Sequence, residues 1–439
     1  MTTILAFIFV IGVLVFVHEL GHFLAARRIG IRVLTFSLGF GPKLLKVKRG
    51  DTEYCLSAIP LGGYVKMAGE NPNDARSGAS DEFLSKSKWQ RFQVLIMGPV
   101  MNIVLALVVM AVVFYQGAPT PAYSQQAVVI GGFYPTSPAL AAGLKAGDRI
   151  VAVDGDHVKD WEDFLITIGP KAGREVTVTA DRQGSTVHAK MTPIPQGRYK
   201  TGDIEVYPLF TPQVSALSPG EPAEAAGLRV GDVVISANGE TNPTYPRLLE
   251  LIQQNPETTL TLGVRRQETV QTIQMTPRMA GGTALIGATF DVEHTQVHPS
   301  VVGSMQMSLA QNWEWSKLIG KTLKGLFTRD TPLKQMMGPL GIAEVSGSAA
   351  AAGWIPLFTL MAVISLNLGL FNLLPVPVLD GGHITIMALE GVSRRDFSFE
   401  SKLMMMRVGL VLLLAFMGTV IFNDIARLDW IQKLIEGPV

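Results

Sequence analysis

Two histidines four positions apart, with a glutamate directly after the first, form the stretch His18-Glu19-Leu20-Gly21-His22. On a helix, positions i and i+4 share a face, so both imidazoles can reach one Zn²⁺. Glu19 then stands beside the metal, where a carboxylate can take a proton from water as general base. A catalytic zinc site usually has three protein ligands and one open position. The third ligand must come from another segment. Asp380 is the first candidate: it is a carboxylate at the end of the apolar stretch that follows Asn372, and it calls for a partner there. His383 lies close by in the chain and is chemically able to serve instead.

The elements that carry these residues read as membrane spans. The run from Ile4 to Val17 is apolar throughout and continues through Phe23, Leu24 and Ala26 until Arg27 and Arg28 stop it. A helix over that length rises about 35 Å, enough to cross a bilayer. Its positive charge follows the run instead of preceding it, so it reads as a span and not as a cleaved signal. A second run covers Phe92 to Tyr115 and contains Pro99 and Asn102. A third covers Trp354 to Leu379 and is interrupted by Asn367, Asn372, Pro375 and Pro377. A fourth covers Leu403 to Phe422, with Arg407 near one end. Ionisable groups at mid-membrane cost at least about 2.5 kcal/mol in the worst cases, so three in one span need a compensating role, which a bound metal supplies.

Composition agrees. Charged residues make up 17% of the 439 and hydrophobic residues 48%, a deficit of charge that comes from these long uncharged runs. A net charge of +1 excludes a strongly basic nucleic-acid binder as a whole-chain reading. One cysteine, Cys55, excludes an internal disulfide framework. Lys and Arg concentrate in the loop from Arg27 to Arg91 and in the short loop holding Arg394, Arg395 and Lys402, which places both loops in the cytoplasm. The long segment 116–353 and both termini then lie on the other side.

That middle segment repeats itself. Residues 137–155 read SPALAAGLKAGDRIVAVDG and residues 221–239 read EPAEAAGLRVGDVVISANG, an offset of 84 that also relates Met191-Thr192-Pro193 to Met275-Thr276-Pro277. A shared offset over separate positions marks a duplicated module. The AGL-x-x-GD signature in each copy resembles bacterial PDZ domains, which implies two α/β modules, over 126–198 and 204–280, that bind extended peptides by adding a strand or serve as a steric gate. Beyond them, residues 301–350 show apolar residues at helical spacing with lysines between, read as an amphipathic segment lying on the membrane or packed on the modules. Ser346 to Ala352, all small, reads as a flexible linker into the third run.

HExxH in the first run, N-x-x-P-x-P-x-L-D-G in the third and the paired modules between resemble the site-2 protease family along the whole chain, as do Gly39-Phe40-Gly41-Pro42 and Ile59 to Met67. The resemblance implies a polytopic α-helical membrane protein with four spans, two inserted PDZ domains and a membrane-associated β-loop. It implies Zn²⁺ held by His18, His22 and Asp380, Glu19 as base, and Asn372 near the scissile carbonyl. It implies single-span membrane proteins as substrates, an anti-sigma factor among them, in a bacterial inner membrane.

A spanning substrate hides its peptide bonds in its own helix and must unwind in a site that offers new backbone partners. Residues Val33 to Val65 alternate in polarity, and Gly41-Pro42 is expected to turn the chain between strands. An open edge there, near Gly39 and Gly41, is expected to hold the substrate as an added strand. The competing reading is a non-catalytic PDZ scaffold with a relic metal site. An intact HExxH with Asp380 argues against a relic, and the second and fourth runs carry too few ionisable groups for a metal transporter.

Overall fold

The chain enters as a 28-residue helix, α1 (Thr2–Ile29), about 42 Å long at 1.5 Å per residue. Two long strands follow, β1 (Val33–Arg49) and β2 (Thr52–Met67), and then α2 (Lys88–Tyr115), whose start is fixed by a capping box between Ser87 and Gln90. The computed structural model describes residues 2–70, 78–117, 119–121, 126–197, 200–280, 282–292, 294–296, 299–328 and 331–427. Contacts divide the chain into two units: residues 1–118, 298–328 and 336–439 in one, and 119–297 with 329–335 in the other.

The β1–β2 element departs from the expected hairpin. The chain does not turn at Gly41-Pro42; β1 runs through them, and the reversal comes at Gly50-Asp51, between Arg49 and Thr52. Gly39 and Gly41 have φ of +87° and +85°, so they bend the strand as bulges, a conformation that glycine alone adopts cheaply. Because each strand folds across the sheet twice, Thr35 to Leu38 face Glu53 to Leu56 on one side and Lys66 to Gly63 on the other, while Lys43 to Arg49 face Ser57 to Thr52. The outer side of ribbon 63–67 has no strand partner among the described residues. Phe40, Leu44, Leu45, Val47, Leu56 and Ile59 are all exposed on this sheet.

The second unit holds two modules of one build. In the first, α3 (Pro138–Ala141) and α4 (Trp161–Ile168) accompany a sheet in the order 206–208, 128–133, 149–153, 176–182, 185–191. In the second, α5 (Pro222–Ala225) and α6 (Tyr245–Gln254) accompany the order 288–292, 212–217, 233–237, 260–266, 269–275. The cores correspond at the offset of 84: Ile130 with Val214, Leu144 with Leu228, Phe164 with Leu248 and Ile168 with Ile252. So do two buried ion pairs. Asp148 accepts from Arg182 Nε and Nη2 at 2.7 Å each, and Asp232 accepts from Arg266 in the same way. The modules extend past the expected ends at 198 and 280, since Val206–Pro208 closes the first sheet and Ala288–Val292 the second. These closing strands pair with residues far back in the chain and lie beyond the part of the repeat that sequence identity marks. Residue 198 lies outside the described residues.

The first unit resumes with α7 (Val301–Thr328), α8 (Pro339–Ala352), α9 (Trp354–Asn372), α10 (Asp380–Ser393) and α11 (Phe399–Ala426). Residues 301–350 are thus two helices, not one amphipathic segment. α7 packs on α2, where Ser308 Oγ donates to the Leu107 carbonyl at 2.7 Å. The expected linker Ser346 to Ala352 is helical and packs on α1: Ser346 and Gly347 are buried, and a Cβ on Gly347 would press into Thr3. Alanine-rich sequence favours helix, and small side chains let helices approach closely in a membrane, so smallness here serves packing and not flexibility. Among the described residues α1, α2, α9 and α11 are long and apolar enough to cross a bilayer. α1, α2 and α9 share a core of Val10, Leu14, Ala106, Met110, Met361 and Leu366.

Candidate metal centre

α1 and α2 cross where both lack side chains. A Cβ on Gly21 would collide with the Met97 carbonyl, and one on Gly98 would collide with the His22 ring. This close approach brings the α2 backbone against the two imidazoles, which face each other at 4.8 Å between ring centres. The third donor arrives from a break in the third apolar run. Pro375 and Pro377 offer no N–H, so the helix stops after Asn372 and restarts at Asp380. Gly381 and Gly382 lie so tightly on residues 373–377 that a Cβ on either would overlap that backbone. The fold thereby holds Asp380 at the first position of α10.

His18 Nε2, His22 Nε2 and Asp380 Oδ2 form a triangle with sides of 3.2, 3.3 and 3.5 Å. They are the one group of three or more such ligands gathered among the described residues. Tetrahedral zinc with bonds of about 2.0–2.2 Å would set its ligands about 3.3–3.6 Å apart, so the triangle has the dimensions of one tetrahedral face and leaves the fourth corner open. The outer nitrogens of both rings are engaged. His22 Nδ1–H donates to the Val94 carbonyl at 2.8 Å, which leaves the Nε2 lone pair for a metal. His18 Nδ1 lies 3.2 Å from Asn102 Nδ2, while Asn102 Oδ1 is buried with no partner. Turning that amide over puts Oδ1 on His18 Nδ1–H and frees the His18 Nε2 lone pair in the same way; O and N of an amide are assigned by such networks. The donor set fits Zn²⁺.

Asn372 stands at the rim, its Nδ2 3.5 Å from His18 Nε2. His383, the alternative ligand, does not join the triangle. Gly39 and Gly41 have Ser57 and Ile59 as nearest neighbours. It is Gly63 that meets the centre: a Cβ there would stand 2.8 Å from the Ser37 carbonyl oxygen, 2.9 Å from Val15 Cγ1 and 3.0 Å from Glu19 Cγ. The unpartnered ribbon 63–67 therefore begins against the glutamate of HExxH. Sequence reasoning passed over Asn102 and Gly63, although an asparagine inside an uncharged run and a Gly-Gly pair inside a strand were both visible signals.

Known proteins resemble this chain over nearly its full length. The model of peptidase family M50 matches residues 6–416. The Regulator of sigma E protease of Haemophilus influenzae is 32% identical over 442 residues, covering 96% of this chain and 98% of that protein. A protein of Neisseria meningitidis named as a zinc metalloprotease is 32% identical over 458 residues, covering 98% of this chain and all of that one. The crystal structure of the PDZ domain of an SdrC-like protein from Listeria innocua is 25% identical, covers 19% of this chain and 93% of that one, and has a TM-score of 0.17. The chain belongs to peptidase family M50, the site-2 proteases, and is a multi-pass inner-membrane zinc metalloprotease.

Proposed function

We propose that the enzyme is an intramembrane endopeptidase that cuts single-span membrane proteins, with His18, His22 and Asp380 as the zinc ligands and Glu19 as the base. The observation that carries this reading is the donor triangle built between α1 and the start of α10, directly beside Glu19, in helices apolar enough to span. Bound zinc supplies a Lewis acid that acidifies water and polarises a carbonyl. Glu19 accepts the proton of the attacking water at its carboxylate and delivers it to the amide nitrogen that leaves. The Asn372 amide, at the rim of the triangle, donates from Nδ2 to the scissile carbonyl oxygen as charge builds there.

The substrate is an unwound segment laid along ribbon 63–67 as an added strand, its backbone groups satisfied by an edge that has no partner among the described strands. The bulges at Gly39 and Gly41 shape the same sheet. Exposure of Phe40, Leu44, Leu45 and Ile59 supports its dipping into the hydrocarbon as a membrane-associated β-loop. The two modules read as PDZ domains on the periplasmic side that exclude or sense bulky substrates, so that cutting follows removal of an outer domain. Relatives named as regulators of sigma E make an anti-sigma factor the first substrate to try.

The test is cleavage of a radiolabelled single-span anti-sigma factor by detergent-purified protein, beside Glu19→Gln and with or without a zinc chelator. Cleavage that needs both Glu19 and zinc is expected. Cleavage that persists without either would overturn the assignment.

A further inference from the structure

At the basic end of α1 lies an open cleft of about 830 Å³ between the last turns of the helix and the tip of the β1–β2 element. Its size is that of a ligand site. Its lining includes none of His18, Glu19, His22, Asn372 or Asp380. Arg27, Arg32 and Arg49 line it, together with Asp51 and Asp81. Arg32 is engaged by Asp81 at 3.1 Å. Arg27 lies over the Phe23 ring at 5.7 Å, and neither it nor Arg49 forms an ion pair among the described residues. Asp51 also lines the cavity, so Arg27 and Arg49 together leave the lining with a surplus of positive charge.

The place in the bilayer selects the ligand. The apolar run of α1 ends at Ala26, and Arg27 is the first charged residue beyond it, so the cavity straddles the boundary between hydrocarbon and water. Its lining has an apolar part, Phe23, Tyr54 and Leu24, the last 50% exposed. Arg27 and Arg49 line it as well, and the planar donors of a guanidinium match phosphate oxygens. We propose that this cavity binds the glycerophosphate head of an anionic phospholipid, with Arg27 and Arg49 on the phosphate and an acyl chain leaving along Leu24. The bound lipid would tie the tip of the β-element to α1. This proposal does not depend on the protease chemistry.

The full chain is placed in nanodiscs of equal phosphatidylglycerol and phosphatidylcholine, released, and weighed by native mass spectrometry for retained lipid. One arginine at an anionic surface is worth about a fivefold change in affinity. Arg27→Ala with Arg49→Ala should therefore cut phosphatidylglycerol retention about 25-fold if the two act independently. The conservative pair Arg27→Lys with Arg49→Lys should keep most of it. Arg394→Ala with Arg395→Ala, in the other basic loop, should leave it unchanged. Equal retention of phosphatidylcholine, an unchanged signal in the Arg27/Arg49 alanine variant, or an equal loss in the Arg394/Arg395 variant would each overturn the proposal. Displacement of the lipid by millimolar inorganic phosphate would assign the arginines to a soluble anion and also overturn it.

Discussion

Asn102 of α2 meets His18 of α1 at 3.2 Å on the ring nitrogen that faces away from Asp380. Asn102 is fully buried, so its amide has no solvent to fall back on. It completes for His18 what the Val94 carbonyl does for His22 at 2.8 Å. Partners of this kind fix the tautomer and orientation of a ligating imidazole, and losing one usually costs about 10–100-fold in metal affinity. Asn102→Leu should weaken zinc binding by that factor in a chelator competition, while Asn102→Asp, which keeps an acceptor, should retain more. Equal affinities for all three proteins would show that the amide does not hold the ring.

Glu19→Gln keeps the size of the side chain and removes its ability to take a proton. Turnover should fall by about 10²–10⁴, the range for loss of a general base. Zinc content, measured by metal analysis of the purified protein, should stay near that of the wild type. A variant that loses metal together with activity would place Glu19 in the ligand set and leave the base unassigned.

Gly63 offers a different kind of test. Adding one methyl group there pushes on the Ser37 carbonyl, Val15 and Glu19 at once. Shifts of about 1 Å near reacting groups can cost on the order of 10² in rate. Gly63→Ala should therefore lower turnover strongly, while Gly50→Ala at the far turn, where a Cβ meets nothing within 4 Å and φ of +63° adds only local strain, should cost some stability and change turnover little. A change in turnover as small at Gly63 as at Gly50 would mean that ribbon 63–67 is not the critical edge.

In the first module, hydrogen bonds from Arg182 hold the Asp148 carboxyl below its usual range. A carboxyl depressed in the folded state contributes stability above its unfolded pKa of about 3.9 and loses it as pH falls through the folded value. Protection factors for hydrogen exchange over residues 128–191 of the full chain, corrected for the intrinsic rate at each pH, should therefore fall in acid below about pH 4. Arg182→Met should bring that loosening to neutral pH, since it leaves Asp148 buried without its partner. The lesion should stay local, leaving residues 212–275 protected.

How far the sequence foretold these arrangements depends on the range of the contact. His18 and His22 were legible because a helix of period 3.6 joins them, and Asp380 because a carboxylate in an apolar run is conspicuous. The duplicated modules were legible as a repeat. Their closing strands were not, because Val206–Pro208 and Ala288–Val292 belong where they do only through pairing with 128–133 and 212–217. The turn of the β-element was misplaced because Gly41-Pro42 looks like punctuation, yet the pairing of Lys43 to Arg49 with Ser57 to Thr52 carries the strand onward to Gly50. Ser346 to Ala352 misled for a related reason: only the approach of Thr3 shows that its smallness is a contact surface. Gly21 and Gly98 gave no sign in sequence that they were the place where two helices touch.

The donor triangle draws on residues 18, 22 and 380, and this separation along the chain has a temporal meaning. A ribosome makes the two histidines before either module and the aspartate only after both. Until then the two imidazoles on the first helix lack their third donor. A metal centre that needs all three donors therefore cannot close until the segment after both modules has been made.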